Sequence, residues 1–103
     1  MTKPRFHPEA RLEYIEALLL LEEERVGYGA KFEAEVEATL RRIVEYPDSG
    51  SQVACVSERV DVQAFPLRVF RYSLMVVCER EEPVVYAVAY QRRKPGYWKD
   101  RLT

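Results

Sequence analysis

The chain has 103 residues, a length that fills one domain spanning residues 1–103. Hydrophobic residues make up 48% and charged residues 32%, with 6 Pro and 4 Gly, a composition that supports a buried core and excludes disordered, collagen-like and low-complexity classes. The formal net charge of -1 conceals an asymmetry: residues 1–47 carry 7 basic and 10 acidic groups, residues 48–103 carry 9 and 7, and the last twelve hold Arg92, Arg93, Lys94, Lys99 and Arg101 against Asp100 alone.

The first residues, Met1-Thr2-Lys3-Pro4-Arg5, lead into no apolar run of the signal-peptide kind, so a cytoplasmic protein is expected. Residues 3–7 read as a short extended segment, because the residue before a proline avoids the α region. Pro8 then stands where a helix tolerates proline best, followed by Glu9 at the positive end of the helix dipole. Helix one is predicted from Pro8 to about Arg25. Its longest apolar stretch, Ala17 to Leu21, is far short of the roughly 20 residues needed to cross a membrane. Two apolar stripes run along it. Leu12, Ile15 and Leu19 share one face; Ala10, Tyr14, Ala17 and Leu21 lie nearly opposite. A half-buried helix of a monomer shows one stripe. The second implies packing on both sides, either between helix two and the sheet or under a partner.

Gly27 and Gly29 punctuate the chain, and helix two is predicted from about Ala30 to Glu45. Phe32, Val36, Leu40 and Ile43, with Thr39, follow the helical series and define its buried face. The two helices should form an antiparallel hairpin. Residues 48–59 read as a loop. Val60, Val62 and Ala64 then alternate with Asp61 and Gln63, and the apolar phase shifts by one after Phe65-Pro66, which predicts a bulge or bend near a sheet edge. Tyr72 to Cys78 and Val84 to Tyr90 are apolar on both alternations, as central strands are. Glu79 to Pro83 between them reads as a charged hairpin loop.

Cys55 and Cys78 make no disulfide framework, and a single histidine completes no structural zinc site, which takes about four Cys or His ligands. Reduced cysteines, no metal and no cofactor are expected, with Cys78 a small apolar filler of its strand. His7 reads either as a general base or as a residue bonded to the backbone at the start of helix one; no catalytic partner is placed beside it. The expected fold is α+β, in the order β-α-α-β-β-β: a small antiparallel sheet packed by an N-terminal helical hairpin.

That order, together with three segments, resembles the RelE/ParE superfamily of toxins from bacterial type II toxin–antitoxin systems. The segments are Arg5-Phe6-His7-Pro8-Glu9-Ala10, Phe65-Pro66-Leu67-Arg68-Val69-Phe70-Arg71-Tyr72 and Ala87-Val88-Ala89-Tyr90-Gln91-Arg92-Arg93-Lys94-Pro95-Gly96-Tyr97-Trp98. The last is the most specific: an apolar strand running into Arg-Arg-x-Pro-x-Tyr-Trp. Two positions depart from the family pattern. Arg71 stands where proline is frequent, and Tyr90 where histidine is frequent. The resemblance implies a toxin neutralised by a cognate antitoxin. ParE-like members poison DNA gyrase by protein–protein contact, and the long helical hairpin looks more like that branch. RelE-like members are ribosome-dependent, metal-free mRNA endoribonucleases. A third possibility is a detoxified remnant that only binds its antitoxin.

Metal-free RNA cleavage needs a base, an acid and cations around the phosphate. Arg68, Arg71, Arg92 and Arg93 are the candidate cations, and Tyr90 and Tyr97 the candidate acid–base groups. Tyrosines, with an ordinary pKa of about 10, match pH 7 poorly. For a protein partner, the candidate contacts are Arg92, Arg93, Lys94, Tyr97 and Trp98 at the C-terminal end and Leu12, Ile15 and Leu19 on helix one. Tyr97 and Trp98 have a second reading, as aromatic caps folded back on the core.

Overall fold

A computed structural model describes residues 3–53 and 60–102. In chain order the elements are β1 (Arg5–Phe6), α1 (Pro8–Glu24), α2 (Tyr28–Glu45), β2 (Ser51–Gln52), β3 (Val62–Pro66), β4 (Tyr72–Glu79) and β5 (Glu82–Tyr90), closed by a 3-10 turn at Lys99–Leu102. Cys55 lies outside the described residues.

α1 starts as its sequence predicts. Pro8 opens the first turn, and His7 caps it by accepting the Glu9 N–H on Nδ1 at 3.2 Å. The helix ends at Glu24, and the chain reverses over Gly27, whose φ of 94° places it in the left-handed region that favours glycine. The Glu22 carboxylate holds this reversal by accepting N–H bonds from Gly27 and Gly29 at 2.9–3.1 Å. A side chain at Gly29 would place its Cβ 3.0 Å from Glu22 Oε1 and 3.3 Å from Leu18 Cδ2. Gly29 therefore sits inside α2 as a close contact with α1, and α2 begins at Tyr28, two residues earlier than its sequence suggests. Phe32, Val36, Thr39, Leu40 and Ile43 form the buried face of α2, as the 3.6-residue period requires.

The sheet has five strands in the order β1-β5-β4-β3-β2. It is mixed, which corrects the expected antiparallel sheet: β2, β3, β4 and β5 run antiparallel to their neighbours, but β1 pairs parallel with β5, Arg5 opposite Val84 and Phe6 opposite Val85. The local pattern of a strand does not encode its direction. That is set by topology, here by a helical hairpin followed by a β2–β5 meander that brings β5 back beside β1. β2 itself falls within the segment read as loop; two exposed polar residues carry no strand signal.

β4 is central and β5 next to it, so both carry apolar residues on both faces. Phe65, Leu74, Val76, Val85 and Val88 meet the helices, with Phe32 at the centre against Tyr14, Phe70 and Tyr72. Val62, Val77, Val84, Tyr86, Ala87 and Ala89 form the other face, covered by Trp98 with Tyr97 and Leu102. Trp98 is only 2% exposed, so its place is in the core and not at a partner surface. The bend expected after Phe65-Pro66 is present, at residues 68–71 beyond the end of β3 and one strand in from the sheet edge, and a bulge lies elsewhere. β3 simply ends at Pro66, while Met75 pairs with Ala87 and Val76 with Val85, leaving Tyr86 as the extra residue of a bulge. Tyr86 and Ala87 consequently face the same side. The hairpin between β4 and β5 is a two-residue turn, Arg80 (φ 49°) and Glu81 (φ 68°), tighter than the loop read from the sequence. Cys78, at the hairpin end of β4, is exposed, correcting its reading as a filler.

α1 packs against α2 and β5 through Ala10 and Ala17, with Tyr14, Leu18 and Leu21 beside them. Its other stripe is not sandwiched inside the fold: Leu12, Ile15 and Leu19 are 53%, 45% and 60% exposed. α1 lies on the outside of the helical layer, so only one of its faces has a neighbour. No helix among the described residues is long and apolar enough to cross a membrane.

Candidate functional site

β1 is too short to cover β5. Its last rung is the His7 N–H bond to the Val85 carbonyl, at 2.8 Å. Beyond it, the Tyr86 carbonyl and the Val88 N–H point outward with no strand to meet them. Two side chains take the place of a strand. Glu13, from α1, accepts the Val88 N–H at 3.0 Å, and Arg101, from the closing 3-10 turn, donates to the Tyr86 carbonyl at 3.0 Å. The two then grip each other, Arg101 Nη1 to Glu13 Oε1 at 2.8 Å and Nη2 to Oε2 at 3.0 Å. Tyr97 adds a 2.6 Å bond from its hydroxyl to Glu13 Oε2. Arg93 Nη1 lies 3.6 Å from the same oxygen, and its guanidinium stacks 3.8 Å from the Tyr97 ring centre. Glu13 thus gathers helix, sheet edge and C-terminal segment at one carboxylate.

The electrostatics follow from that arrangement. Burial alone would push the Glu13 carboxyl up, but the bonds from Arg101, Tyr97 and the Val88 N–H outweigh it and hold the group below the ordinary glutamate range. Burial first, and then the bond to Glu13, push the Tyr97 hydroxyl far above the ordinary phenol range. The bond to Glu13 raises Arg101 further. Tyr97 is therefore fixed as a hydrogen-bond donor, a state unsuited to taking a proton from a substrate near neutral pH.

Beside this cluster an open cleft of about 620 Å³ runs between α1 and the ends of β4 and β5. α1 contributes Glu13, Glu16, Ala17, Leu20 and Glu24; Val69, Phe70, Arg71, Tyr72, Tyr90 and Arg93 form the other wall. Of the residues singled out in the sequence, Arg71, Tyr90 and Arg93 meet here. Tyr90 packs edge-on against Tyr72, with ring centres 5.4 Å apart. Arg68 lines a different groove, beside α2. Arg92 and Lys94 are exposed on the turn after β5. The nuclease set is thus divided, and Glu16 and Glu24 stand opposite its arginines. His7 belongs to the α1 cap, 5.5 Å from the Tyr86 ring. The Tyr86 hydroxyl donates to Glu79 and, through burial and that bond, is pushed up to about 12.

No family model, curated protein or solved structure matches the chain.

Two residues that organise the site, Glu13 and Arg101, escaped the sequence reading. Glu13 did leave a trace. It falls beside Ala10 and Ala17 on the helical wheel, an acid bordering the buried stripe, and such a group needs partners. Arg101 figured in the sequence only as one of the C-terminal cations, with nothing local to set it apart from them. Among the described residues, no group of three or more His, Cys, Asp or Glu side chains is placed to hold a metal ion.

Proposed function

We propose that this protein is the toxin of a type II toxin–antitoxin pair, of the ParE-like kind, which inhibits DNA gyrase by protein–protein contact and is neutralised by a cognate antitoxin. The observation that carries this reading is the exposed Leu12–Ile15–Leu19 stripe on α1; the helix also lends an exposed leucine, Leu20, to the open cleft on another of its faces. An apolar stripe that the fold leaves exposed suits a protein partner better than solvent. The cleft is broad and open rather than enclosed. Arg92, Arg93 and Lys94 add a cationic rim that favours an acidic protein segment.

A second reading, a metal-independent mRNA endoribonuclease, draws support from the meeting of Arg71, Tyr90 and Arg93 in the cleft. The acidic wall of Glu16 and Glu24, which repels phosphate, and the engagement of Tyr97 by Glu13 weigh against it. Inducible expression of the chain by itself separates these readings. Gyrase inhibition stops growth, traps gyrase–DNA cleavage complexes and leaves mRNA intact. Cut mRNA without trapped complexes replaces the proposal with the nuclease. Normal growth at high soluble expression replaces it with a remnant that only binds the antitoxin.

A further inference from the structure

A second groove, of about 540 Å³, lies on the opposite side of Val69 from the cleft, between α2 and the segment joining β3 to β4. Its floor is apolar and shallow. Ala34 and Ala38 stand one turn apart on the exposed face of α2, and Pro66, Val69 and Phe70 face them. Cations ring this floor. Lys31 and Arg42 lie on the same face of α2, at either end of the alanine pair and about 16 Å apart along the axis at 1.5 Å per residue. Arg68 faces them from the loop.

The one acid in the groove, Glu35, is already committed: its carboxylate accepts the backbone N–H groups of Arg68 and of Val69, the latter at 3.2 Å, and so ties the loop to α2. Lys31 rests 5.8 Å from the Tyr28 ring centre and Arg42 5.9 Å from that of Phe65. Neither they nor Arg68 pairs with a carboxylate among the described residues. Three cations against one carboxylate, which is turned to the loop backbone, leave this small-residue groove net positive among the described residues, in a chain with 17 acidic side chains and 16 basic ones.

We infer that this groove docks an acidic amphipathic helix of a partner protein. The alanine pair lets a helix axis approach α2 closely, as ridge-and-groove packing requires. The apolar floor takes the partner's small or aliphatic side chains. Lys31, Arg42 and Arg68 meet acids on its flanks. Nucleic acid is the poorer fit, because the floor offers no exposed aromatic face for a base to stack on; Phe70 is buried. The site is separate from the α1 stripe, and this inference stands whether the chain acts on gyrase or on mRNA.

The test is an NMR titration of the full-length, isotope-labelled chain with a stapled helical peptide of about fourteen residues, roughly four turns. One face carries Leu and Ala, and Glu fills the flanks. A peptide with Lys at the flanks and a single-stranded RNA of similar length are run in parallel. The Glu peptide should bind saturably, shift the amides of Ala34, Ala38, Arg68 and Val69, and weaken as salt rises. Arg42→Ala with Arg68→Ala should weaken binding about tenfold or more, since two charge contacts are lost. Ala38→Arg, which fills the floor from an exposed position, should abolish binding while the spectrum stays folded. The inference is overturned if the Glu peptide does not bind, if the Lys peptide binds equally well, if the shifts fall on Leu12, Ile15 and Leu19 instead, or if the RNA binds more tightly.

Discussion

Replacing Glu13 with glutamine is the sharpest perturbation this fold offers. The side-chain amide would keep a carbonyl for the Val88 N–H but would remove the charge that Arg101 grips with two bonds of 2.8 and 3.0 Å. Both side chains are largely covered, at 12% and 14% exposure, so neither water nor salt readily replaces the lost partner. Hydrogen bonds to charged groups contribute about 1.5–3 kcal/mol, and breaking a fully buried pair costs about 3–5 kcal/mol. The partial exposure here places the cost at about 2–3 kcal/mol. For a domain of this size that lowers the melting temperature by about 10 °C or more. The damage should begin at the C-terminal segment, which Arg101 and Tyr97 pin through Glu13. Trp98, the one tryptophan of the chain, reports on it directly, because it belongs to that segment and is buried against the sheet. Glu13→Gln should shift Trp98 emission to the red and speed tryptic cleavage at Arg92 and Arg93 before global unfolding. The same carboxylate sets an acid dependence. Its folded pKa is depressed, so its contribution is complete above the unfolded value of about 4.3 and fades as pH falls through the folded value. The wild-type chain should therefore lose stability below about pH 4.3 more steeply than the variant. A loss under about 1 kcal/mol with unchanged Trp98 emission would refute the assignment of Glu13 as the clasp of the C-terminal segment.

Three further outcomes follow from the same geometry. Leu12→Ser, Ile15→Ser and Leu19→Ser together should leave thermal stability within about 1 kcal/mol, since all three side chains face solvent, yet, on the proposed reading, weaken binding of the proposed antitoxin measured by calorimetry. Arg80→Asn with Glu81→Gly should stabilise the chain by about 1 kcal/mol in urea denaturation, because both residues hold left-handed backbone that those replacements adopt more easily. Phe32→Ala should cost about 3–5 kcal/mol in the same assay, because the ring is fully buried among Tyr14, Phe70 and Tyr72.

The parts of this fold legible in the sequence are those fixed by local periodicity. α2 has one clean stripe, and its buried residues are those the stripe names. β4 and β5 read as interior strands because both of their faces are apolar, and both faces are covered. α1 was legible as a helix but ambiguous in its packing: two stripes say that two surfaces want cover without saying which one the fold supplies. The direction of β1 could not be read, since parallel and antiparallel strands share one alternation. Nor could the Tyr86 bulge, because β5 is apolar at every position from Val84 to Ala89 and a slipped register leaves no mark. The clasp was least visible of all. Glu13 and Arg101 stand 88 positions apart, and neither signals the other except through the folded sheet edge they share.

The central claim, that this surface is made to engage a protein target, is met most directly by incubating the purified chain with DNA gyrase, ATP and supercoiled plasmid and then denaturing the complexes. A toxin of the proposed kind yields linear, protein-linked DNA in proportion to the amount added, and pre-incubation with its antitoxin prevents it. Plasmid that remains uncut, with supercoiling activity undiminished at saturating amounts of the chain, contradicts the account.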